Sequence, residues 1–142
     1  MTDIELKYYI ALQPKIREAM GEWQPGDRGY SDGIEYFFTG TVWWSDTKYY
    51  QFKSVEDGVS HIDTQVTDSI IRLPLPIDPR NPERGLWGMV NWNRFFVMVD
   101  GNGRMTIAFD DYEGKYIADN DTPTLALLKV LAAQWKVEVP NE

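Results

Sequence analysis

The chain has 142 residues, which fits one domain, and 43% of them are hydrophobic, enough for a core that needs no covalent staples. It contains no Cys, which excludes disulfides, thiolate zinc sites and cysteine nucleophiles. The net charge is −8 and the Lys and Arg residues form no basic block, so nucleic acid is not an expected partner.

The first residues and the apolar runs of the chain indicate its expected location in the cell. The first residues lack the basic start and the apolar run of a secretory signal. No stretch reaches the ~20 apolar residues that a membrane helix needs. We therefore expect a cytoplasmic protein without a membrane partner, whose acidity favours solubility.

An amphipathic helix is predicted over residues 3–21. Its apolar side chains recur at spacings of three and four residues, at Tyr9, Leu12, Ile16, Ala19, Met20 and Trp23. Pro14 lacks an N–H and crowds the preceding turn, so it predicts either a kink or the start of a second helix. Gly21 is expected to end the helix, and residues 25–27 to form a turn.

A hairpin with aromatic side chains on both faces is predicted over residues 34–53. Alternation from Ile34 assigns to the core face Tyr36, Phe38, Val42 and Trp44. The opposite face then carries Phe37, Thr39, Thr41 and Trp43. After a turn at residues 45–47, the second strand should place Tyr50 and Phe52 inward, and Tyr49, Gln51 and Lys53 outward.

The middle of the chain has weaker patterns. Residues 54–68 are polar and indicate no clear element, and residues 69–75 predict a short strand. Four prolines follow within nine residues (Pro74, Pro76, Pro79 and Pro82) and predict an extended connection rather than a central strand. Residues 86–92 resume the β pattern.

The last third of the chain has the clearest local signals. Strands over residues 93–100 and 104–110 are joined through residues 101–103, and a three-residue loop with Gly103 at positive φ would put two apolar sets on one face. These sets are Phe95, Val97 and Val99, and Met105, Ile107 and Phe109. Residues 115–118 follow, and then a helix with Thr122 as its N-cap and Pro123 in its first turn.

This order of elements predicts a single α+β domain over residues 1–142. Its antiparallel β-sheet would carry the N-terminal and C-terminal helices on one face. Two alternatives remain for the opposite face: the proline-rich segment covers it, or another protein chain does. In the second case Phe37, Trp43 and Tyr49 are the expected contact residues, because large aromatic side chains dominate interface energies.

No motif in the sequence assigns a catalytic residue, a metal ligand or a cofactor. His61 is the single histidine, and zinc needs three or four ligands, so we expect an exposed loop residue. Asp110, Asp111 and Glu113 would have to converge in a cleft to do acid–base chemistry, and their place at a turn accounts for them. The sequence favours a noncatalytic protein over an enzyme.

Three stretches of the chain resemble small uncharacterised proteins encoded by bacteriophages and prophages. They are residues 12–27 (LQPKIREAMGEWQPGD), 73–90 (LPLPIDPRNPERGLWGMV) and 121–135 (DTPTLALLKVLAAQW), together about a third of the chain. The resemblance implies an origin in a bacterial host and an accessory role. It implies no catalytic residues.

Three hypotheses for function follow from the sequence. The first is a noncatalytic binding or assembly protein, with a protein partner or a second copy on its aromatic face. The second is a small-molecule or enzymatic pocket between sheet and helices, with Asp110 or Glu113 at its rim. The third is an acidic mimic of nucleic acid, which requires carboxylates in rows along one face.

Overall fold

The computed structural model describes residues 1–109 and 116–140. The described part contains three α-helices, a short 3₁₀ helix at Pro82–Arg84 and eight strands. The helices are α1 (Asp3–Met20), α2 (Leu86–Met89) and α3 (Pro123–Trp135). The strands are β1 (Arg28–Ser31), β2 (Ile34–Trp44), β3 (Thr47–Ser54), β4 (His61–Thr64), β5 (Ile71–Arg72), β6 (Phe95–Val99), β7 (Met105–Phe109) and β8 (Tyr116–Asp121).

The α+β class is confirmed, with antiparallel strands between an N-terminal and a C-terminal helix. The described strands form two sheets rather than one, in the orders β4-β3-β2-β1-β5 and β6-β7-β8. The chain divides into two compact units, residues 20–74 and residues 1–19 with 75–142. Each unit is described by itself below, and the single domain stays a prediction.

An aromatic cluster forms the core of the unit that holds the five-stranded sheet. Trp23, Phe38 and Phe52 are buried in it together with Tyr36 and Ile70. The Trp23 and Phe52 rings meet edge to face, with centroids 4.9 Å apart, a geometry that aromatic pairs prefer. Trp23 therefore belongs to the sheet core and lies beyond the end of α1, although its spacing fits the helical stripe.

The three-stranded sheet has the register that the loop at residues 101–103 predicts. Phe95 pairs with Phe109, Val97 with Ile107 and Val99 with Met105. Gly103 has φ +77, and the Asp100 N–H donates to the Arg104 carbonyl over 3.0 Å, which closes a three-residue loop. The predicted register of this hairpin is confirmed.

The N-terminal helix spans the predicted residues, and the C-terminal helix begins where the sequence predicts, but the second helix that was one alternative at Pro14 does not form. Helix α1 continues through Pro14 without an interruption, and Gly21 follows it at φ +70. The Thr122 side chain accepts a hydrogen bond from the Leu125 N–H, and Pro123 opens α3. Leu128 and Leu131 on α3 are fully buried.

The segment over residues 86–92 contradicts the predicted strand. It begins with the helical turn α2, and the N–H groups of Leu86 and Trp87 donate to the carbonyls of Leu75 and Pro76 over 2.8 and 2.9 Å. A short apolar run does not distinguish strand from buried helix by periodicity alone, which explains the error. Two neighbouring predictions change as well: residues 54–68 contain β4, and the strand over residues 69–75 shrinks to β5.

Candidate functional site

The longest hairpin of the described residues joins β2 to β3 through Ser45 and Asp46. Both loop residues have positive φ, 49° and 66°, as a two-residue type I′ turn requires. The strands are rich in aromatic and β-branched residues, which favour a pleated conformation. Trp44 pairs with Thr47, and the pairing continues to Tyr36 and Ser54.

A β-bulge interrupts this pairing between Phe38 and Gly40. Phe38 pairs with Phe52 and Gly40 with Gln51, so β2 contains one extra residue there. Gly40 has φ +143, a conformation that L side chains rarely adopt, and the Thr39 hydroxyl donates to the Gln51 carbonyl over 3.1 Å. The extra residue shifts the alternation of side chains along the rest of β2 by one position.

This shift corrects the faces assigned to the predicted contact residues. Paired residues share a face, and Phe37 pairs with Lys53 while Tyr49 pairs with Val42, which puts Phe37 and Tyr49 on the outer face. Trp43 pairs with Lys48 and lies on the opposite face, which also carries Phe38, Phe52 and Tyr50. The structure therefore brings Phe37 and Tyr49 to one face and separates Trp43 from them; their role in an interaction stays a prediction.

The end of the hairpin exposes two adjacent tryptophans. Trp43 is 67% exposed and Trp44 is 73% exposed, one on each face of the sheet. Phe37 and Tyr49 are only half-exposed, and the Tyr49 hydroxyl accepts a hydrogen bond from Gln65 Nε2 over 3.2 Å. Trp44, which regular alternation assigns to the core, thus belongs with Trp43 to the most accessible aromatic surface of this unit.

A groove of about 460 Å³ lies on the same face as Trp43. Trp23, Phe38 and Tyr50 form its aromatic lining, and Thr41 and Gly40 of β2 border it. The groove continues the core of the sheet outward, because Phe38 and Trp23 belong to the buried cluster. A ligand in this groove would therefore contact rings that are already fixed by packing.

Two cations line this groove, each stacked on an aromatic ring. The Arg72 guanidinium lies 4.4 Å from the Trp23 ring centre, and its NH1 donates to the Gly21 carbonyl over 2.6 Å. Lys48 Nζ lies 5.2 Å from the Tyr50 ring centre, within the range of a cation–π contact. Glu22 is the carboxylate among the lining residues. The site thus offers aromatic surface with positive charge.

Sequence reasoning missed Lys48, Tyr50 and Arg72 as members of one site. The available signal was Gly40, because a glycine inside a strand often marks a bulge, and a bulge at this position moves Thr41 and Trp43 to the inner face. No comparable local signal places Arg72, which comes from a strand of two residues.

The other residues considered in the sequence analysis add no further site among the described residues. His61 is exposed, as predicted, but it begins β4 rather than lying in a loop. Within residues 1–109 and 116–140, no group of three His, Cys, Asp or Glu side chains could hold a metal ion. Asp110, Asp111 and Glu113, the rim residues of the pocket hypothesis, lie outside the described residues.

The described helices include none with both the length and the apolar character to cross a bilayer. Comparison of the chain with protein-family models, with curated proteins and with solved structures finds no match.

Proposed function

We propose that this protein is a noncatalytic binding protein that contacts a protein partner through the end of the β2–β3 hairpin. The observation that carries the proposal is the exposure of Trp43 and Trp44, 67% and 73%, at adjacent positions. Tryptophan is the residue type most enriched among interface hot spots, and an exposed apolar surface of this kind is a feature of interaction sites. The resemblance to small phage-encoded proteins supports an accessory role of the same kind.

The hairpin is suited to present these rings. Its type I′ turn matches the twist of the flanking strands, and Phe38 and Phe52 anchor the base of the same strands in the core. A rigid support lowers the entropy lost on binding, because the side chains are ordered before the partner arrives. The two tryptophans also lie on opposite faces, so a partner that contacts both must enclose the hairpin end.

Site-specific photo-crosslinking in bacterial cells tests this proposal. Trp44 is replaced by p-benzoylphenylalanine, and the matched control carries the same group at Ile34, an exposed residue at the other end of β2. We expect a discrete crosslinked species from position 44 that is absent from position 34. The W43A/W44A variant should then bind the purified partner at least tenfold more weakly, since hot-spot truncations cost about 2 kcal/mol or more.

Two results would contradict the proposal. One is a crosslinking pattern that does not differ between positions 44 and 34. The other is an unchanged affinity of the folded W43A/W44A variant for the partner identified at position 44. Circular dichroism of the variant establishes that it is folded.

A further inference from the structure

One edge of β2 is open beyond Phe38. The Phe38 N–H donates to the Asp27 carbonyl and the Gly26 N–H to the Phe38 carbonyl, both over 2.8 Å, and there the neighbouring chain leaves the sheet. Within residues 1–109 and 116–140, no strand pairs with the following part of β2 on this side. In the turn before β1, the Gln24 N–H donates to the buried Asp27 carboxylate over 2.8 Å.

The backbone groups of Thr41 and Trp43 point to this open edge. In a two-residue hairpin the residues that flank the turn form a hydrogen-bonded pair, here Trp44 with Thr47. Hydrogen-bonded and non-hydrogen-bonded pairs then alternate along antiparallel strands. Thr41 and Trp43 belong to non-hydrogen-bonded pairs, so each directs its N–H and its C=O away from β3. Their side chains lie on the face of the groove.

The charge beside this edge favours an acidic ligand. Lys48 is exposed and stacks on Tyr50, and the Arg72 guanidinium stacks on Trp23 in the same groove. Arg72 is buried and donates to the Gly21 carbonyl, so Lys48 is the cation of this groove that a ligand can reach, in a chain whose net charge is −8. Carboxylates of a bound segment would find complementary charge here, and complementarity of this kind selects among partners.

We propose that the open edge of β2 binds an extended acidic segment of a partner protein as an added strand. The inference rests on the proposed function, because the same hairpin supplies both surfaces. Main-chain hydrogen bonds to Thr41 and Trp43 hold such a segment, and alternate side chains reach the groove face. The side chain opposite Trp43 is in line with Lys48, the cross-strand partner of Trp43, and the side chain opposite Thr41 is in line with Tyr50. This arrangement predicts an acidic residue two positions from an apolar one.

A library of short random peptides displayed on yeast tests the inference without knowledge of the partner. We expect selection on the intact protein to enrich peptides with an acidic residue two positions from an apolar or aromatic residue. K48E should weaken a selected peptide about twofold to fivefold, in line with the size of exposed charge contacts. K53E is the matched control, because Lys53 is exposed on the other face of the same strand, and it should leave the affinity unchanged.

N-methylation of the selected peptide tests strand addition itself. Alternate amides of an added strand face β2, so methylation at every second position should abolish binding and methylation between them should not. An alternating pattern together with a K48E effect supports the inference. The inference is overturned if no peptides are enriched. It is also overturned if methylation abolishes binding at none of the amides, or at all of them alike.

Two further outcomes separate this inference from the proposed function. If the crosslinked partner requires the tryptophans but the peptides show neither acidic preference nor the alternating pattern, the proposed function stands and strand addition is wrong. If light scattering across a dilution series shows a dimer that the W43A variant dissociates, the occupant is a second copy, which also overturns the peptide inference.

Discussion

The backbone of Gly88 in α2 lies directly against the carbonyl group of Pro82, so position 88 has no room for a side chain. Ordinarily, alanine stabilises an exposed helical position relative to glycine by about 1 kcal/mol. At this position a Cβ would overlap the Pro82 carbonyl, and backbone rather than a flexible side chain would have to move. We therefore expect Gly88→Ala to destabilise the protein, lowering the free energy of unfolding by about 1–3 kcal/mol.

Urea denaturation followed by tryptophan fluorescence measures this difference. Gly101→Ala is the matched control, because position 101 is an exposed glycine with open space around its Cβ and no positive φ. The control should change the unfolding free energy by less than about 0.5 kcal/mol. Equal stability of the two variants would show that α2 does not pack on the 3₁₀ helix in this way.

The buried carboxylate of Asp78 makes part of the folding free energy depend on pH. Its oxygens accept hydrogen bonds from Arg80 N, Nε and NH2 over 2.9, 3.1 and 2.8 Å. The side-chain hydrogen bonds from Arg80 hold the pKa of Asp78 below its ordinary value of 3.8. Because the folded pKa is the lower one, the stabilisation is complete above the unfolded pKa and is lost as the pH falls through the folded value.

The Asp78→Asn variant tests this linkage. It should lower the free energy of unfolding at neutral pH by about 1–3 kcal/mol, the usual size of lost hydrogen bonds to a charged group. Its stability should also fall less steeply than that of the wild type as the pH drops below about 4. Urea denaturation at a series of pH values gives the free energy of unfolding of both proteins as a function of pH. If the two curves fall in parallel below a pH of about 4, the role assigned to Asp78 is contradicted.

At the scale of elements, local signals determined what the sequence could predict. Gly103 fixes the loop between β6 and β7, and that loop fixes the register of the whole hairpin. Thr122 and Pro123 mark the start of α3 for a similar reason, since a cap acts within one helical turn. These elements were predicted correctly because a few adjacent residues specify them.

The elements that went wrong depend on contacts with distant residues. The α2 turn is held by carbonyls of Leu75 and Pro76, about a dozen residues before it, so its own sequence does not distinguish helix from strand. The bulge in β2 depends on the register with β3, and regular alternation across Gly40 therefore misassigned the residues that follow it. Because the candidate site lies beyond the bulge, one extra residue was enough to place Trp43 on the wrong face and Trp44 in the core.

At the scale of the whole molecule, the charge of the chain opposes the charge of its groove. The 22 acidic and 14 basic residues give a net charge of −8, whereas the groove lining carries the exposed Lys48 and the buried Arg72 beside one carboxylate, Glu22. For an acidic peptide bound at the β2 edge as proposed, we expect repulsion by the acidic chain at long range and attraction by Lys48 at short range. Salt screens the first effect more strongly, because the Debye length falls from about 30 Å at 0.01 M to about 8 Å at 0.15 M.

This competition predicts an unusual salt dependence for a peptide selected on the β2 edge. Its association rate constant should rise as salt increases from about 0.01 to 0.15 M, because the repulsion from the acidic surface is screened before the contact with Lys48 is reached. Stopped-flow tryptophan fluorescence measures the rate, and the same peptide with Gln in place of its acidic residues should show little change. An association rate that instead falls steadily with salt is the behaviour of electrostatic steering, and would mean that the field of the groove extends beyond that of the acidic surface around it.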